Sequence, residues 1–210
     1  MHYPDSMLMN ADAKLVQIVD AATADAARRS GAWLKCRPGC TQCCFGVFAI
    51  SQLDAVRLRE GLKDLERSDP ARAAAVRLRV EQTVLRLSPD FPGDSSTGIL
   101  QEPEDGESGD DLFADFANEE PCPVLDPATG TCDLYASRPM TCRVFGPPVR
   151  SENGIGVCEL CFDGASEEEI LAAELKTDWS REEDLLNLEA QDLTGRTGST
   201  IVAFALNTAS

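Results

Sequence analysis

Nine cysteines are the residues through which this chain of 210 residues could do chemistry. Four of them fall in the run CRPGCTQCC, where separations of x3 and x2 allow one turn to aim several sulfurs at a common point. Soft thiolate ligands select zinc or iron–sulfur clusters over hard cations such as magnesium or calcium. The sequence therefore predicts a metal centre, and the candidate ligands are Cys36, Cys40, Cys43, Cys44, Cys122, Cys132, Cys142, Cys158 and Cys161.

The scarcity of histidine limits the kinds of metal site that the chain can form. Its single histidine, His2, stands in a terminus expected to be mobile, so a zinc site would need thiolates alone or thiolates with a carboxylate or water. Iron–sulfur clusters are normally held by four cysteine thiolates, and nine thiols exceed the needs of one structural zinc site. We therefore expect an iron–sulfur cluster, preferably of the 4Fe–4S type, with zinc as the alternative.

The adjacent residues Cys43 and Cys44 bear on how the ligands are divided. Neighbouring side chains rarely both reach one metal, so one of the two is expected to bind while the other faces a second centre or stays a thiol. Nine cysteines suffice for two four-ligand sites with one left over, or for one site with redox-active spares. Arg138 and Arg143 stand near Cys142 and are candidate hydrogen-bond donors to the sulfurs.

Helices are expected to carry the chain into and out of the cysteine segments. An apolar stripe at helical spacing predicts a first helix over about Ala11–Leu34, immediately before the first cluster. Capping signals predict further helix starts at Ser51, Asp69-Pro70, Ser166 and Ser180. In the second half, two short extended pieces flank the turn DPATG. The predicted fold is mainly α: a small helical domain with short β-hairpin and loop segments organised around a cysteine-ligated metal centre.

A single domain over 1–210 is expected, with two segments of different character. Residues 90–120 are rich in Gly, Ser, Pro and acidic residues, and no Lys or Arg occurs between Arg86 and Arg138. This segment is therefore predicted to be a flexible acidic insertion. Residues 196–210 form a tail whose structure the pattern leaves ambiguous. Apolar residues within the insertion could dock it onto the core: Leu112, Phe113 and Phe116.

The charge and hydropathy of the chain exclude some classes of protein. With 19 Lys and Arg against 36 Asp and Glu, the formal net charge is −17, which argues against a nucleic-acid binder and against attachment to an anionic membrane surface. No apolar run approaches the roughly 20 residues of a membrane span, and the N-terminus lacks the pattern of a secretory signal. A cytoplasmic protein with reduced thiols is expected. Its acidic insertion could bind a basic protein partner.

Three motifs, taken in order, resemble the YkgJ-type cysteine-cluster family. They are CRPGCTQCC, PCPVLD and CDLYASRPMTCRVF, and they cover Leu34–Phe145 with the acidic insertion between them. That family is described as a zinc- or iron-chelating domain with a Cx3Cx2CC or Cx2Cx2CC cluster, a Cys-Pro and a Cys-x-x-Tyr-x-x-Arg-Pro-x-x-Cys-Arg segment. Cys158 and Cys161 lie beyond the resemblance, as a later pair that could complete a site. The resemblance implies metal binding, and the matching positions are Cys36, Cys40, Cys43, Cys44, Cys122, Cys132, Tyr135, Arg138, Pro139, Cys142 and Arg143.

Whether the chain is an enzyme stays open. A redox or radical enzyme is one alternative, since Cys36-x3-Cys40-x2-Cys43 matches the three-cysteine signature of radical S-adenosylmethionine enzymes, although Gln42 stands where an aromatic residue is usual. A thiol oxidoreductase that acts through the late CxxC pair is another. The third is a structural or interaction module, in which zinc staples loops and metal binding supplies folding free energy.

Overall fold

The chain folds as a mainly helical protein, and the predicted fold class is confirmed. Helices dominate the computed structural model, and the strands of the described residues form short antiparallel pairs. His2 and Leu112 lie outside the described residues. The structure describes residues 3–102, 113, 116–151 and 154–207.

The helices fall before, between and after the cysteine segments. None of the helices in the described residues is long and apolar enough to cross a membrane. Short 3-10 turns occupy Gly31–Trp33, Gln42–Cys44, Ser88–Asp90 and Tyr135–Ser137. The α-helices are α1 (Tyr3–Ser30), α2 (Gln52–Ser68), α3 (Pro70–Leu87), α4 (Met140–Val144), α5 (Glu167–Ala173), α6 (Ser180–Thr194) and α7 (Val202–Leu206).

Antiparallel hairpins make up the described strands. The pairs are β1 (Gly93–Asp94) with β2 (Ile99–Leu100), β3 (Leu125–Asp126) with β4 (Thr131–Cys132), and β5 (Val149–Ser151) with β6 (Gly154–Gly156). The predicted DPATG turn joins β3 to β4, and Gly130 supplies the positive φ of 66° that the turn needs. In this hairpin Leu125 lies opposite Cys132.

The chain divides into two compact units. The single domain over 1–210 that the sequence analysis expected stays a prediction. Unit 1 comprises Met1–Pro38 and Met140–Leu186, and unit 2 comprises Gly39–Pro139 and Asn187–Ser210. Each unit therefore draws on two separate stretches of the chain.

Local capping explains where several helices begin. The Ser51 side chain accepts a hydrogen bond from the Asp54 N–H at 3.1 Å, as the sequence predicted for the start of α2. Asp69 caps α3 by accepting from the Arg72 N–H at 3.1 Å. A complete capping box, with Ser166 and Glu169, begins α5.

The helix before the first cysteine cluster differs from its predicted bounds at both ends, and it ends at Ser30 rather than at about Leu34. The sequence predicted it from about Ala11, whereas α1 begins at Tyr3. Methionine, leucine and alanine favour helix, and the run MLMNADA extends the helix toward the N-terminus. Gly31, at a φ of 52°, follows the last residue of α1, where a left-handed residue commonly ends a helix.

In unit 2, α2 packs against α3 and α7. The tail that looked ambiguous from sequence forms α7, and all five of its residues are buried. Before this helix, Thr200 and Ile50 exchange backbone hydrogen bonds of 2.8 and 3.0 Å, which hold the tail in unit 2. Cys122 and Cys132 pack against this core, whose buried residues are Ile50, Ala55, Leu58, Leu62, Ala73, Val76, Val80, Val124, Leu134, Val202, Ala205 and Leu206.

A second apolar cluster in unit 2 takes residues from the predicted acidic insertion. Phe113 is buried in it and Phe116 packs against it, and the Phe91 ring lies 4.3 Å from the Phe204 ring, centroid to centroid. The hairpin of β1 and β2 also falls within the predicted insertion. Residues 103–112 and 114–115, on which the rest of that prediction falls, lie outside the described residues.

In unit 1, α1 packs against α4 and α5. The Arg29 guanidinium of α1 donates to the carbonyl oxygens of Ala172 and Glu174, at 2.5 and 2.9 Å. These bonds satisfy carbonyl groups at the end of α5, which that short helix leaves without partners of its own. α1 is thereby held close to the segment that follows the late CxxC pair.

Candidate functional site

The two units divide the nine cysteines into two groups, and no disulfide joins any of them in the structure described here. The boundary after Pro38 falls inside the run CRPGCTQCC, so Cys36 belongs to unit 1 and Cys40 to unit 2. The unit 1 thiols are Cys36, Cys142, Cys158 and Cys161, and the unit 2 thiols are Cys40, Cys43, Cys44, Cys122 and Cys132.

Backbone pairing brings the first unit 2 cysteines to Cys122. The 3-10 turn is closed by the Cys44 N–H, which donates to the Thr41 carbonyl at 2.8 Å. Phe45 then pairs with Pro121 as an antiparallel bridge, and the Cys122 N–H donates to the Cys44 carbonyl at 2.7 Å. Cys44 and Cys122 are therefore neighbours in space although the acidic segment separates them in sequence.

The hairpin that follows brings Cys132 to the same region of unit 2. The Leu125 N–H donates to the Cys122 carbonyl at 2.9 Å, and Leu125 is the strand partner of Cys132. The turn of the hairpin also meets the loop that carries Cys40, because a Cβ at Gly130 would lie 3.4 Å from Thr41 Cγ2. Three separate cysteine-bearing segments of unit 2 are thus neighbours in the fold.

The unit 2 thiols influence one another's ionisation. The hydrogen bond from Cys44 lowers the pKa of Cys43 to about 6, and the same bond raises the pKa of Cys44, which burial and the nearby thiolates raise further. Burial raises the pKa of Cys122 to about 12 and also raises that of Cys132. A cation bound at thiolates would favour their deprotonated forms and so oppose the effect of burial.

The arginines of α3 fix the hairpin that carries Cys132. Asp133 is nearly buried, with 2 % of its side chain exposed, and accepts hydrogen bonds from both Arg72 and Arg79. Arg79 also donates to the Pro123 carbonyl at 2.8 Å. The sequence analysis did not predict these ion pairs, because Arg72 and Asp133 are 61 residues apart and no local pattern connects them.

The candidate donors Arg138 and Arg143 contact other groups as well. Arg138 stacks over the Tyr135 ring at 4.0 Å from its centroid, and it lies close enough to Cys132 to lower the pKa of that thiol against the larger effect of burial. The Arg143 guanidinium is buried and donates to both carboxylate oxygens of Asp20 at 3.0 Å. This ion pair joins α4 to α1 within unit 1.

In unit 1, the late CxxC pair docks onto the chain just before Cys36. The Cys161 N–H donates to the Cys158 carbonyl at 2.8 Å and closes the turn. The Cys161 sulfur, which is buried, accepts a hydrogen bond from the Lys35 N–H at 3.3 Å. The Phe162 N–H also donates to the Trp33 carbonyl at 3.3 Å. Cys161 is thus held beside the residue that precedes Cys36.

The remaining unit 1 cysteine, Cys142, lies on α4, and the chain leaving α4 runs against Cys36. Gly146 follows this helix, and a Cβ at its position would lie 3.2 Å from the Cys36 sulfur. Its φ of 119° is a conformation that side chains rarely adopt. Glycine at this position therefore permits the close approach of the segments that carry Cys142 and Cys36.

The donors that these groups offer suit a soft metal. They are thiols, which select zinc or iron–sulfur clusters. As placed in the described residues, no three side chains of His, Cys, Asp or Glu are arranged to hold an ion. Binding would therefore have to rotate the thiols toward a shared point, which couples metal binding to local ordering. The chemistry of the thiols fits zinc or iron, and their side chains would become ordered when the metal binds.

Comparison with known proteins gives one family match. Residues 35–162 match the CxxCxxCC family, which is described as a proposed zinc- or iron-chelating domain. The match begins just before Cys36 and ends just after Cys161, so it includes the late pair that the sequence resemblance left outside. No curated protein and no solved structure matches the chain significantly.

Proposed function

Because this chain belongs to the CxxCxxCC family, we propose that it binds a metal through its cysteine thiolates. The family description gives zinc or iron, and the thiols are ligands that both accept. The observation that carries the proposal is the hydrogen bond of 2.7 Å between the Cys122 N–H and the Cys44 carbonyl. This bond holds together cysteines from two motifs that lie far apart in the sequence.

An iron–sulfur cluster, of the 4Fe–4S type, is the proposed occupant, and zinc is the alternative. Two features support this preference: all nine candidate ligands are cysteines, and the chain has a single histidine. Four thiolates hold a 4Fe–4S cluster without any other ligand. Such a cluster supplies electron transfer when bound, whereas zinc supplies a structural link between loops.

The first test is the metal content of the full chain purified without oxygen. Iron, acid-labile sulfide and a broad visible charge-transfer band are expected. Stoichiometric zinc in a colourless protein would support metal binding and replace the cluster by the structural alternative. A protein without either metal, in which all nine thiols react with a thiol reagent in the folded state, would refute the proposal.

A further inference from the structure

Four thiolates close a structural zinc site, and four thiolates likewise hold an iron–sulfur cluster. Unit 1 contains four cysteines and unit 2 contains five. Each unit also contains one CxxC pair, at the spacing typical of metal ligands: Cys158-x-x-Cys161 in unit 1 and Cys40-x-x-Cys43 in unit 2. Two single cysteines from other segments accompany each pair. The same set of ligands is thus present twice.

We propose, building on the metal-binding function above, that the chain holds two separate thiolate centres, one in each unit. The ligands of the unit 1 centre are Cys36, Cys142, Cys158 and Cys161. The ligands of the unit 2 centre are Cys40, Cys43, Cys122 and Cys132, and Cys44 is the cysteine left over.

The contacts of unit 1 bring its three cysteine segments together. The sulfur of Cys161 is fixed by the Lys35 N–H at 3.3 Å, beside Cys36. Hydrogen bonds from backbone N–H groups to sulfur also tune metal-bound thiolates. The segment after α4 approaches Cys36 so closely that a Cβ at position 146 would lie 3.2 Å from the Cys36 sulfur. Cys142, four residues earlier, is therefore carried by a segment that packs beside the other unit 1 ligands.

The contacts of unit 2 favour Cys43 over Cys44 as the ligand from the adjacent pair. Cys43 stands at the x2 spacing from Cys40, and the hairpin turn at Gly130 packs against the loop of Cys40. The Cys44 backbone carbonyl accepts a hydrogen bond from the Cys122 N–H at 2.7 Å, which holds Cys122 beside the adjacent pair.

The number of bound ions tests the inference directly. The full chain, reduced and freed of metal, is titrated with Co²⁺, which gives sulfur-to-cobalt charge-transfer bands at tetrahedral thiolate sites. We expect the bands to saturate at two equivalents in the wild type. Cys161→Ser and Cys132→Ser should each saturate at one equivalent, and the double variant should bind none. Cys44→Ser is the matched control and should retain both equivalents.

Other outcomes separate the inference from the proposed function. Saturation at one equivalent in the wild type, abolished by either single variant, would overturn the two centres and leave metal binding intact. No thiolate-to-cobalt band in the wild type would overturn the two centres, and it would overturn metal binding itself if the protein purified without oxygen also lacks iron and zinc. Cys158→Ser and Cys122→Ser repeat the test in each unit, so a misfolded single variant does not decide the result. The equivalent that a variant retains shows that its other unit is folded. Loss of an equivalent in Cys44→Ser would overturn the ligand assignment in unit 2.

Discussion

At the scale of single residues, Gly146 leaves room for the Cys36 sulfur because it has no side chain. It has a φ of 119°, and a Cβ there would lie 3.2 Å from both the Cys36 sulfur and Leu34 Cδ1. Gly154, in the same unit, has a similar φ of 115°, but among the described residues, its chain neighbours aside, no heavy atom lies within 4 Å of its Cβ position. The two glycines share the backbone requirement and differ in the contact with Cys36.

Replacing each glycine with alanine separates these two effects. Both Gly146→Ala and Gly154→Ala should lower the free energy of unfolding by about 1 kcal/mol, because alanine is strained at positive φ. Only Gly146→Ala should also weaken Co²⁺ binding at the unit 1 thiols, by about tenfold, since its methyl group displaces Cys36. The measurements are urea unfolding and Co²⁺ titration. Equal Co²⁺ affinities in the two variants would contradict the role of Gly146.

At the scale of elements, α7 is the helix that holds the end of unit 2 in place. All of Val202–Leu206 is buried, and the Phe204 ring lies against Phe91 at 4.3 Å between centroids. Backbone bonds between Thr200 and Ile50 tie the segment before α7 to the start of α2. A helix of this length has little stability alone, so tertiary contacts must maintain it.

Truncation of the buried ring tests that dependence. Phe204→Ala should lower the free energy of unfolding by about 3 kcal/mol, because it removes buried apolar contacts and leaves a cavity. Leu85→Ala on α3 is the matched control, since Leu85 is 76 % exposed and its removal should change stability little. Chemical denaturation of both variants gives the comparison. Similar unfolding midpoints for Phe204→Ala and the wild type would show that α7 does not support unit 2.

Sequence reasoning succeeded where the determining interactions are local. Ser51, Asp69 and the Ser166–Glu169 box cap helices through bonds that span three residues, so a short pattern is enough to predict them. The sequence of α7 contains no such pattern, because a short segment that is buried on all sides shows no helical periodicity of apolar residues. The division of CRPGCTQCC after Pro38 was equally hidden, since it depends on contacts with distant segments.

At the scale of the whole molecule, the unit 2 cysteines lie at the margin of the main apolar core, whereas Cys161 of unit 1 is buried in an apolar cluster with Phe162 and Ala173. The main core of unit 2 is built from α2, α3 and α7, and Cys122 and Cys132 pack only at its margin, partly buried. Hydrophobic burial of this kind is the dominant stabilising contribution to a fold and needs no metal. The loops that carry the thiols depend on short turns and single hydrogen bonds instead.

Metal removal should therefore loosen the loops and leave the helical core folded. Hydrogen exchange of the metal-loaded chain, before and after chelation, is expected to show faster exchange around Cys40–Cys44 and Cys158–Cys161. Protection of α2 and α3 should persist, because these helices pack mainly against each other and against α7. Loss of protection throughout α2 and α3 on chelation would instead show that the metal maintains the whole of unit 2.

The division of each unit between two stretches of chain also constrains when the protein can mature. Unit 1 needs the stretch from Met140 to Leu186 to join its N-terminal helix, and unit 2 needs α7 to complete its core. A ribosome synthesises the chain from its N-terminus. Unit 1 therefore cannot be completed before Leu186 has been synthesised, and unit 2 cannot be completed before α7 has been synthesised. On the proposed ligand assignment, the unit 1 centre cannot form until Cys161 has been synthesised, so metal would enter that centre late.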